Sequence, residues 1–265
     1  MRVLIKLGGT LLDEAGSRSA MGKQIAGIAA EHEVVVVHGG GKQVTRYLEE
    51  RGVSSRFVDG LRVSDEGVID AVTKVIAGSV NKQLVSAIIA AGRSAVGLSG
   101  VDGALTSAEQ LNIELGFVGR PLRTDGRLLN LLGDAGYVPV IACLAGDDQG
   151  NVYNVNADQM AVSCAIGWGA ERLLFLTDVP GVKGPDGAVL GQLTAGQING
   201  LISSRVAHGG MQAKLEAAGA AFAYGLEQVS IAAGHEPEIC RRLMAGELVG
   251  TRLVGNQATA QVRSA

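Results

Sequence analysis

The sequence predicts an α/β fold, a three-layer αβα sandwich with a mainly parallel central sheet and two lobes. Short apolar runs alternate with longer segments of helical periodicity, an order typical of helices covering a sheet. The runs are rich in Val, Ile and Leu without polar alternation, as expected for strands buried on both faces. The chain has 265 residues, of which 47% are hydrophobic and 18% charged, enough apolar material for a large core.

Six apolar runs predict the strands of this sheet: Val3–Leu7, Val34–Val37, Ala95–Leu98, Val138–Ala142, Leu173–Thr177 and Val229–Ala232. Four segments predict helices between them: Lys42–Arg51, Glu66–Ala91, Ala157–Ile166 and Met211–Ala221. Ser64 directly precedes the longest helix and is the expected N-cap, because a serine hydroxyl can accept from the first free N–H groups.

Two segments interrupt the alternation. Thr106–Arg127 is polar and partly strand-like at Leu115–Arg123, which predicts a hairpin or lid, and Gly181–Gly191 is a turn-rich loop. A boundary near Gly167–Ala170 predicts an N-terminal lobe of residues 1–169 and a C-terminal lobe of residues 170–265.

The overall charge and the cysteines exclude several classes of protein. A net charge of −3 gives no general attraction to nucleic acid or to an acidic membrane surface. The apolar start before Gly8 is too short for a signal-peptide core, and no run reaches the ~20 residues of a membrane span. Cys143, Cys164 and Cys240 lack metal-binding spacing, so we expect reduced thiols in a cytoplasmic protein.

The 39 glycines include three clusters beside predicted strand or helix ends. Gly8–Gly9 follows the first strand, Gly39–Gly41 follows the second strand, and Gly209–Gly210 precedes a helix, with Lys6 and Lys214 close by. Glycine allows a ligand to approach backbone N–H groups, and a helix N-terminus favours phosphate or carboxylate. These clusters predict anion binding.

Neither of two common phosphate motifs is present. Gly41-Lys42 is followed by Gln43 and lacks the upstream glycine of a Walker A loop. The string HGGGKQ at residues 38–43 also lacks the G-x-G-x-x-G spacing of a dinucleotide-binding turn.

Seven strings in order resemble the amino acid kinase superfamily, and within it the N-acetylglutamate kinases, over nearly the whole chain. These strings are IKLGG (5–9), HGGG (38–41), DGLRVS (59–64), NVNAD (154–158), LTDVPGV (176–182), GGMQAK (209–214) and GTRLV (250–254). The resemblance implies transfer of the γ-phosphoryl group of ATP, with Mg²⁺ carried by the nucleotide, to the γ-carboxylate of N-acetyl-L-glutamate in arginine biosynthesis.

By this resemblance, Lys6 and Lys214 stabilise the transferring phosphoryl group and Asp158 holds both lysines. Lysine is a compact charge suited to phosphate, and a carboxylate is favoured in the first turn of a helix. The departures from the family pattern are Ala213, where proline is frequent, and His208, where a smaller residue is usual.

The resemblance also implies the amino acid site. Arg62 would bind the α-carboxylate, because its planar fork matches a carboxylate bidentately. Gly39 and Gly40 would receive the carboxylate under attack, and Asn154 would hydrogen-bond the substrate. A surface ion pair of Arg62 with Asp59, Asp65 or Glu66 is the alternative.

For the nucleotide, the resemblance implies glycine N–H groups at the phosphates and a C-terminal adenosine loop. The residues concerned are Gly8, Gly9, Asp178, Val179, Gly181, Val182, Lys183, Gly209, Gly210 and Met211.

The last expectations concern the oligomeric state of the protein and two alternative functions. The first strand starts at Val3, without the N-terminal helix of arginine-inhibited relatives, so we expect a homodimer insensitive to arginine. One alternative is a kinase for carrier-protein-linked aminoadipate or glutamate. The other is a non-catalytic nucleotide-binding regulator, which would be expected to lack one of Lys6, Asp158 and Lys214.

Overall fold

The computed structural model describes residues 1–255, which contain a central eight-stranded sheet, a small closed sheet and a two-stranded hairpin. The strands are β1 (Arg2–Leu7), β2 (Glu33–His38), β3 (Phe57–Val58), β4 (Leu61–Arg62), β5 (Ala95–Ser99), β6 (Thr106–Gln110), β7 (Val118–Thr124), β8 (Val138–Ala142), β9 (Leu144–Gly146), β10 (Val152–Val155), β11 (Arg172–Thr177), β12 (Gln192–Thr194), β13 (Gln228–Ala233) and β14 (Thr251–Val254).

The central sheet has the strand order β12-β14-β13-β11-β1-β2-β8-β5. All neighbours are parallel except β13 and β14, which are antiparallel. β1 lies between β11 and β2, so the first strand joins the N-terminal and C-terminal parts of one sheet. The six predicted strands and the mainly parallel sheet are confirmed.

Helices cover this sheet, as its apolar strands require. They are α1 (Ala15–Ile28), α2 (Gly41–Glu49), α3 (Glu66–Val72), α4 (Asn81–Ala90), α5 (Arg127–Asp134), α6 (Ala157–Trp168), α7 (Ala195–Ser203), α8 (Gly209–Ala223) and α9 (Ile239–Met244). The four predicted helices are present. The long one differs, because a π-helical segment, Thr73–Val80, joins α3 to α4.

The predicted N-cap of that long helix is wrong by one residue. Asp65 caps α3, and its Oδ1 accepts from Val68 N at 2.9 Å. The Ser64 hydroxyl instead donates to the Arg62 carbonyl oxygen at 2.9 Å. A carboxylate one residue closer to the helix therefore takes the capping position and leaves Ser64 for a tertiary contact.

The predicted hairpin in Thr106–Arg127 is confirmed as the antiparallel pair β6 and β7, which closes with β9 and β10 into a four-stranded sheet. Leu115 ends a 3₁₀ turn and β7 begins only at Val118, which corrects the predicted strand start. The three cysteines are buried free thiols. None of the helices within residues 1–255 is both long and apolar enough to span a bilayer.

Candidate active site

The candidate site lies at the carboxyl ends of three adjacent parallel strands, β11, β1 and β2. The chain leaves β1 at Gly8, β2 at Gly39 and β11 at Asp178. Chain order runs in opposite directions on the two sides of β1, and ligands of open α/β sheets bind at such a switch point. The fold therefore brings two of the three glycine clusters to one edge.

Two lysines from distant parts of the chain meet on one carboxylate. Lys6 Nζ lies 2.8 Å from Asp158 Oδ1, and Lys214 Nζ lies 3.2 Å from Asp158 Oδ2. Lys6 and Asp158 are each only 6% exposed. The site residues expected to act as the charged centre are thus brought together, with one net positive charge left for an anionic ligand.

Local structure fixes Asp158 in this position. Asn156 caps α6, and its Oδ1 accepts from Asp158 N at 2.9 Å and from Gln159 N at 3.2 Å. Burial alone would raise the pKa of the Asp158 carboxyl, but the charges of Lys6 and Lys214 outweigh burial and hold that pKa below its ordinary value. Asp158 is therefore ionised at neutral pH.

The first two glycine clusters face each other across the site. A methyl group on Gly9 would lie 3.6 Å from the backbone nitrogens of both Gly40 and Gly41. Gly9 opens a 3₁₀ helix and Gly40 caps α2 without a side-chain cap. Because the first N–H groups of a helix have no partner within it, both turns offer donors to an anion.

Two residues in this region make contacts that the sequence did not predict. The N–H of Gly8 donates to the Leu176 carbonyl oxygen at 2.8 Å, so this N–H already has a partner within the protein, and its contact with phosphate stays a prediction. Gln43 was not identified from the sequence. It is buried, its Nε2 donates to the Gly9 carbonyl oxygen at 3.2 Å, and its Oε1 has no hydrogen-bond partner within residues 1–255.

Arg62 is buried, and all its hydrogen-bond partners are neutral. Its Nη2 donates to the Gly41 carbonyl oxygen at 2.8 Å and to Thr45 Oγ1 at 2.7 Å, and its Nη1 donates to Ser55 Oγ. The guanidinium also lies 4.7 Å from the centre of the Phe57 ring. Burial lowers the pKa of Arg62 from its ordinary value.

The alternative role of Arg62 required an acidic partner at Asp59, Asp65 or Glu66. Of the ion pairs formed within residues 1–255, none includes Arg62. A buried cation without a counter-charge favours binding of an anion.

Hydrogen bonds through one intervening side chain, that of Ser64, link Asn154 to Arg62. Asn154 Nδ2 donates to Ser64 Oγ at 3.3 Å, and Ser64 Oγ donates to the Arg62 carbonyl oxygen. Ser64 is completely buried. The two residues expected to hold the amino acid are therefore joined in one hydrogen-bond chain.

The loop after β11 is only partly available to a ligand. Asp178, Val179 and Lys183 are exposed at the edge of the site. Val182 is fully buried, its N–H donates to Thr251 Oγ1 at 2.8 Å, and its carbonyl oxygen accepts from Leu190 N. The side chain and both backbone groups of Val182 are therefore engaged within the protein, and its contact with the nucleotide stays a prediction.

Gly181 and the third glycine cluster are the remaining glycines predicted to bind the nucleotide. Gly181 is buried, and a methyl group there would lie 2.7 Å from Thr251 Oγ1. Gly209, Gly210 and Met211 form the first turn of α8, one turn before Lys214. Lys214 Nζ also donates to the Gly210 carbonyl oxygen at 3.2 Å, so the lysine is held close to a helix N-terminus.

The donor set favours a phosphate ligand over a bound metal ion. In the described part of the chain, no three His, Cys, Asp or Glu side chains come together to hold a metal. Asp158 already pairs with two lysines. A divalent cation in this site would therefore be held mainly by phosphate oxygens, a mode that suits Mg²⁺.

Comparison with known proteins shows the family of the chain. The model of the amino acid kinase family matches residues 1–232. The chain is 57% identical to an acetylglutamate kinase of Solibacter usitatus over 255 residues, which cover 96% of this chain and 99% of that protein. It is 44% identical to an acetylglutamate kinase of Geobacillus stearothermophilus, with coverage of 88% and 90%.

Solved structures share the fold. An N-acetylglutamate synthase from Neisseria gonorrhoeae superposes with a TM-score of 0.83 at 24% identity, over 96% of this chain and 59% of that one. A Giardia carbamate kinase superposes with a TM-score of 0.73 at 17% identity, over 96% and 99%. From the family match and the identity over nearly its full length, the chain belongs to the amino acid kinase family.

Proposed function

We propose that this protein phosphorylates the γ-carboxylate of N-acetyl-L-glutamate with ATP, giving N-acetyl-L-glutamyl 5-phosphate for arginine biosynthesis. The observation that carries the proposal is the pairing of Lys6 and Lys214 with a single buried Asp158, beside two facing glycine turns. The 57% identity to an acetylglutamate kinase supports the substrate.

In this proposal the lysines supply positive charge to the phosphoryl group in flight. A carboxylate oxygen of the substrate attacks the γ-phosphorus, and the bond to the β-γ bridging oxygen breaks as ADP leaves. Phosphoryl transfer depends on positioning and charge stabilisation more than on covalent catalysis. Magnesium bound to the nucleotide would bridge phosphate oxygens and neutralise part of their charge. Asp158 holds Lys6 and Lys214 in place, one on each carboxylate oxygen.

The acid substrate would occupy the space between Arg62 and the turn at Gly39–Gly40. Arg62 would take the α-carboxylate, which supplies the missing counter-charge, and Asn154 would hydrogen-bond the acetylated amino acid. Gly40, at the start of α2, would offer its N–H to the γ-carboxylate. Support for Arg62 comes from its burial among neutral partners.

The two predicted lobes would bind different ligands. Residues 1–169 contain the amino acid site and would carry the dimer contact. Residues 170–265 would bind ATP through Asp178, Val179, Gly181, Lys183 and the α8 turn at 209–211, with Gly9 completing the phosphate site. Residues 256–265 of this lobe lie outside the described residues. We also infer a cytoplasmic homodimer that arginine does not inhibit.

Trapping of the acyl phosphate tests the reaction. The protein would be incubated with MgATP and hydroxylamine, and with N-acetylglutamate, glutamate, aspartate or aminoadipate in turn. We expect a hydroxamate with N-acetylglutamate and little with the others. A protein that binds ATP but forms no hydroxamate with N-acetylglutamate would refute the proposed activity. Preference for aminoadipate on a carrier protein would favour the lysine-type alternative.

Light scattering with added arginine tests the assembly. We expect the mass of two chains and no loss of activity at millimolar arginine. A hexamer, or inhibition by arginine, would contradict this part of the proposal.

A further inference from the structure

His38 ends β2, and its side chain is completely buried next to the Gly39–Gly41 turn. Its Nδ1 lies 2.9 Å from the Gly39 carbonyl oxygen, and its Nε2 lies 3.0 Å from Asn81 Nδ2. None of the roles proposed above uses this side chain, although it is joined directly to the turn that would receive the substrate.

The neighbours of Asn81 determine which imidazole nitrogen carries the proton. Asn81 Nδ2 lies 2.9 Å from the Val140 carbonyl oxygen, which can only accept, and Asn81 Oδ1 lies 3.0 Å from Lys82 Nζ, which can only donate. The amide nitrogen therefore faces His38 and donates to Nε2. Nε2 must be unprotonated, so Nδ1 carries the proton and donates to Gly39.

Peptide geometry transmits this hydrogen bond to the site. In a trans peptide the carbonyl of Gly39 and the N–H of Gly40 point in opposite directions. His38 holds the carbonyl side. Gly9 lies close to the nitrogen side, since a methyl group on it would be 3.6 Å from Gly40 N. Fixing the carbonyl of Gly39 thus fixes the direction of the N–H of Gly40.

The π-helical segment 73–80 supports the same peptide from another side. A methyl group on Gly40 would lie 3.2 Å from Ile76 Cγ1 and 3.5 Å from Val80 Cγ2. Asn81 follows this segment directly. Segments with π-type hydrogen bonding are frequent at functional sites. One stretch of chain therefore supplies both the apolar contact to Gly40 and the amide that orients His38.

We propose that His38, oriented by Asn81, is a positioning residue that sets the Gly39–Gly40 peptide so that the N–H of Gly40 meets the carboxylate under attack. This inference rests on the proposed function, because it assigns His38 to the acid substrate and not to ATP. Loss of the Nδ1–H donor would misdirect the N–H of Gly40 even where the fold is kept.

Two variants separate positioning from packing. His38→Asn keeps a donor near the position of Nδ1 and loses the contact with Asn81, whereas His38→Gln reaches Asn81 but places no donor near Nδ1. We expect His38→Gln to lower kcat/KM for N-acetylglutamate by about tenfold or more, the usual cost of losing a buried hydrogen bond, with KM for ATP changed by less than about twofold. His38→Asn should retain most of the activity.

His32→Asn is the matched control, because His32 lies just before β2 at the other end of the strand. It should leave both KM values unchanged. Activity of His38→Gln equal to or above that of His38→Asn would overturn the proposal. So would equal changes in the two KM values, or losses of kcat/KM that simply follow the melting temperature.

The wild-type protein gives a test that does not depend on folding of variants. NMR of the imidazole nitrogens of His38 at neutral pH should show a protonated Nδ1 and an unprotonated Nε2. The opposite tautomer would refute the proposal. A wild type with this tautomer but no hydroxamate with N-acetylglutamate would refute the proposed function instead, so the two failures are distinguishable.

Discussion

The two ends of the candidate site differ in how the protein compensates buried positive charge. At the phosphate end, Lys6 and Lys214 share the Asp158 carboxylate, so half of their positive charge is compensated within the protein. At the acid end, Arg62 is just as buried, but its hydrogen bonds within residues 1–255 go to carbonyl and hydroxyl oxygens and its guanidinium also lies over the Phe57 ring. The lysine centre is built before any ligand arrives, whereas the arginine pocket needs a ligand carboxylate to complete it.

This contrast indicates how each end would contribute. A preformed charge centre acts on the transition state, because its groups need no rearrangement during phosphoryl transfer. An uncompensated cation acts on ground-state binding, because it gains its partner as soon as the substrate enters. Substitutions at the two ends should therefore divide between kcat and KM.

Lys6→Ala should give the largest effect. Removal of one charge that stabilises the transferring group is expected to lower kcat by about 10²- to 10³-fold, with a smaller change in either KM. Steady-state kinetics of the coupled ADP assay measure this. Lys23→Ala, an exposed lysine on α1, is the matched control. A change confined to KM for the acid would show that Lys6 contributes to substrate binding and not to stabilisation of the transition state.

Acid should protonate His38 at Nε2, which breaks its hydrogen bond from Asn81, before it disrupts the lysine centre. Burial lowers the pKa of His38 from 6.5 to about 4; its bond to Gly39 acts in the opposite direction with a smaller effect, and the charge of Lys82 adds the smallest, lowering effect. The unfolded state therefore takes up this proton first, and stability should fall by about 3 kcal/mol as pH drops from about 6.5 to about 4. The pKa of Asp158 lies below its ordinary value, so its ion pairs should persist through this window.

Urea unfolding of wild type and His38→Asn at pH 7 and pH 4.5 measures this effect. The difference in stability between the two proteins should shrink or reverse at the lower pH, because the variant has no imidazole to protonate. A pH dependence identical in both proteins would show that His38 is not the group responsible.

Arg62→Lys should raise KM for N-acetylglutamate by about 10- to 100-fold while KM for ATP and kcat change little, because lysine cannot form the planar bidentate contact. Arg51→Lys, at the exposed end of α2, should have no effect. Equal increases in KM for both substrates would place Arg62 outside the acid pocket.

Ser64→Ala should give the smallest effect. The variant loses the hydrogen bonds that join Asn154 to Arg62, each worth about 0.5–1.5 kcal/mol, so KM for the acid should rise by about three- to tenfold. Ser107→Ala, whose hydroxyl is exposed on β6, is the control. An unchanged KM would show that Arg62 and Asn154 are held independently of Ser64.

Local sequence patterns were sufficient for most strands of the central sheet, but not for α1, α5, α7 and α9. Apolar runs without alternation located all six predicted strands, because strands of a parallel sheet are buried on both faces. Helical spacing located α2, α6 and α8. The break at Thr73–Val80 was not predicted, since the apolar spacing of Ile69, Val72 and Ile76 looks the same whether the backbone bonds are of α or π type.

Details of backbone hydrogen bonding were less predictable. Gly8 and Val182 both stand in glycine-containing strings, yet Gly8 N–H bonds to Leu176 and Val182 lies in the core. A residue beside a ligand loop can either face the ligand or tie the loop to the sheet. Which of these occurs depends on strand register, which a single sequence does not display.

The sequence by itself determined the alternation of strands and helices and the three glycine clusters beside charged residues. Only the tertiary structure decided that Lys6 and Lys214 share Asp158, that Arg62 has no acidic partner in the described chain, and that His38 and Asn81 support Gly39. These contacts join residues far apart in the chain, and their geometry is set by the packing of β1, β2, α6 and α8. Periodicity reports which face of an element is buried, whereas the partner that covers it is chosen by the whole fold.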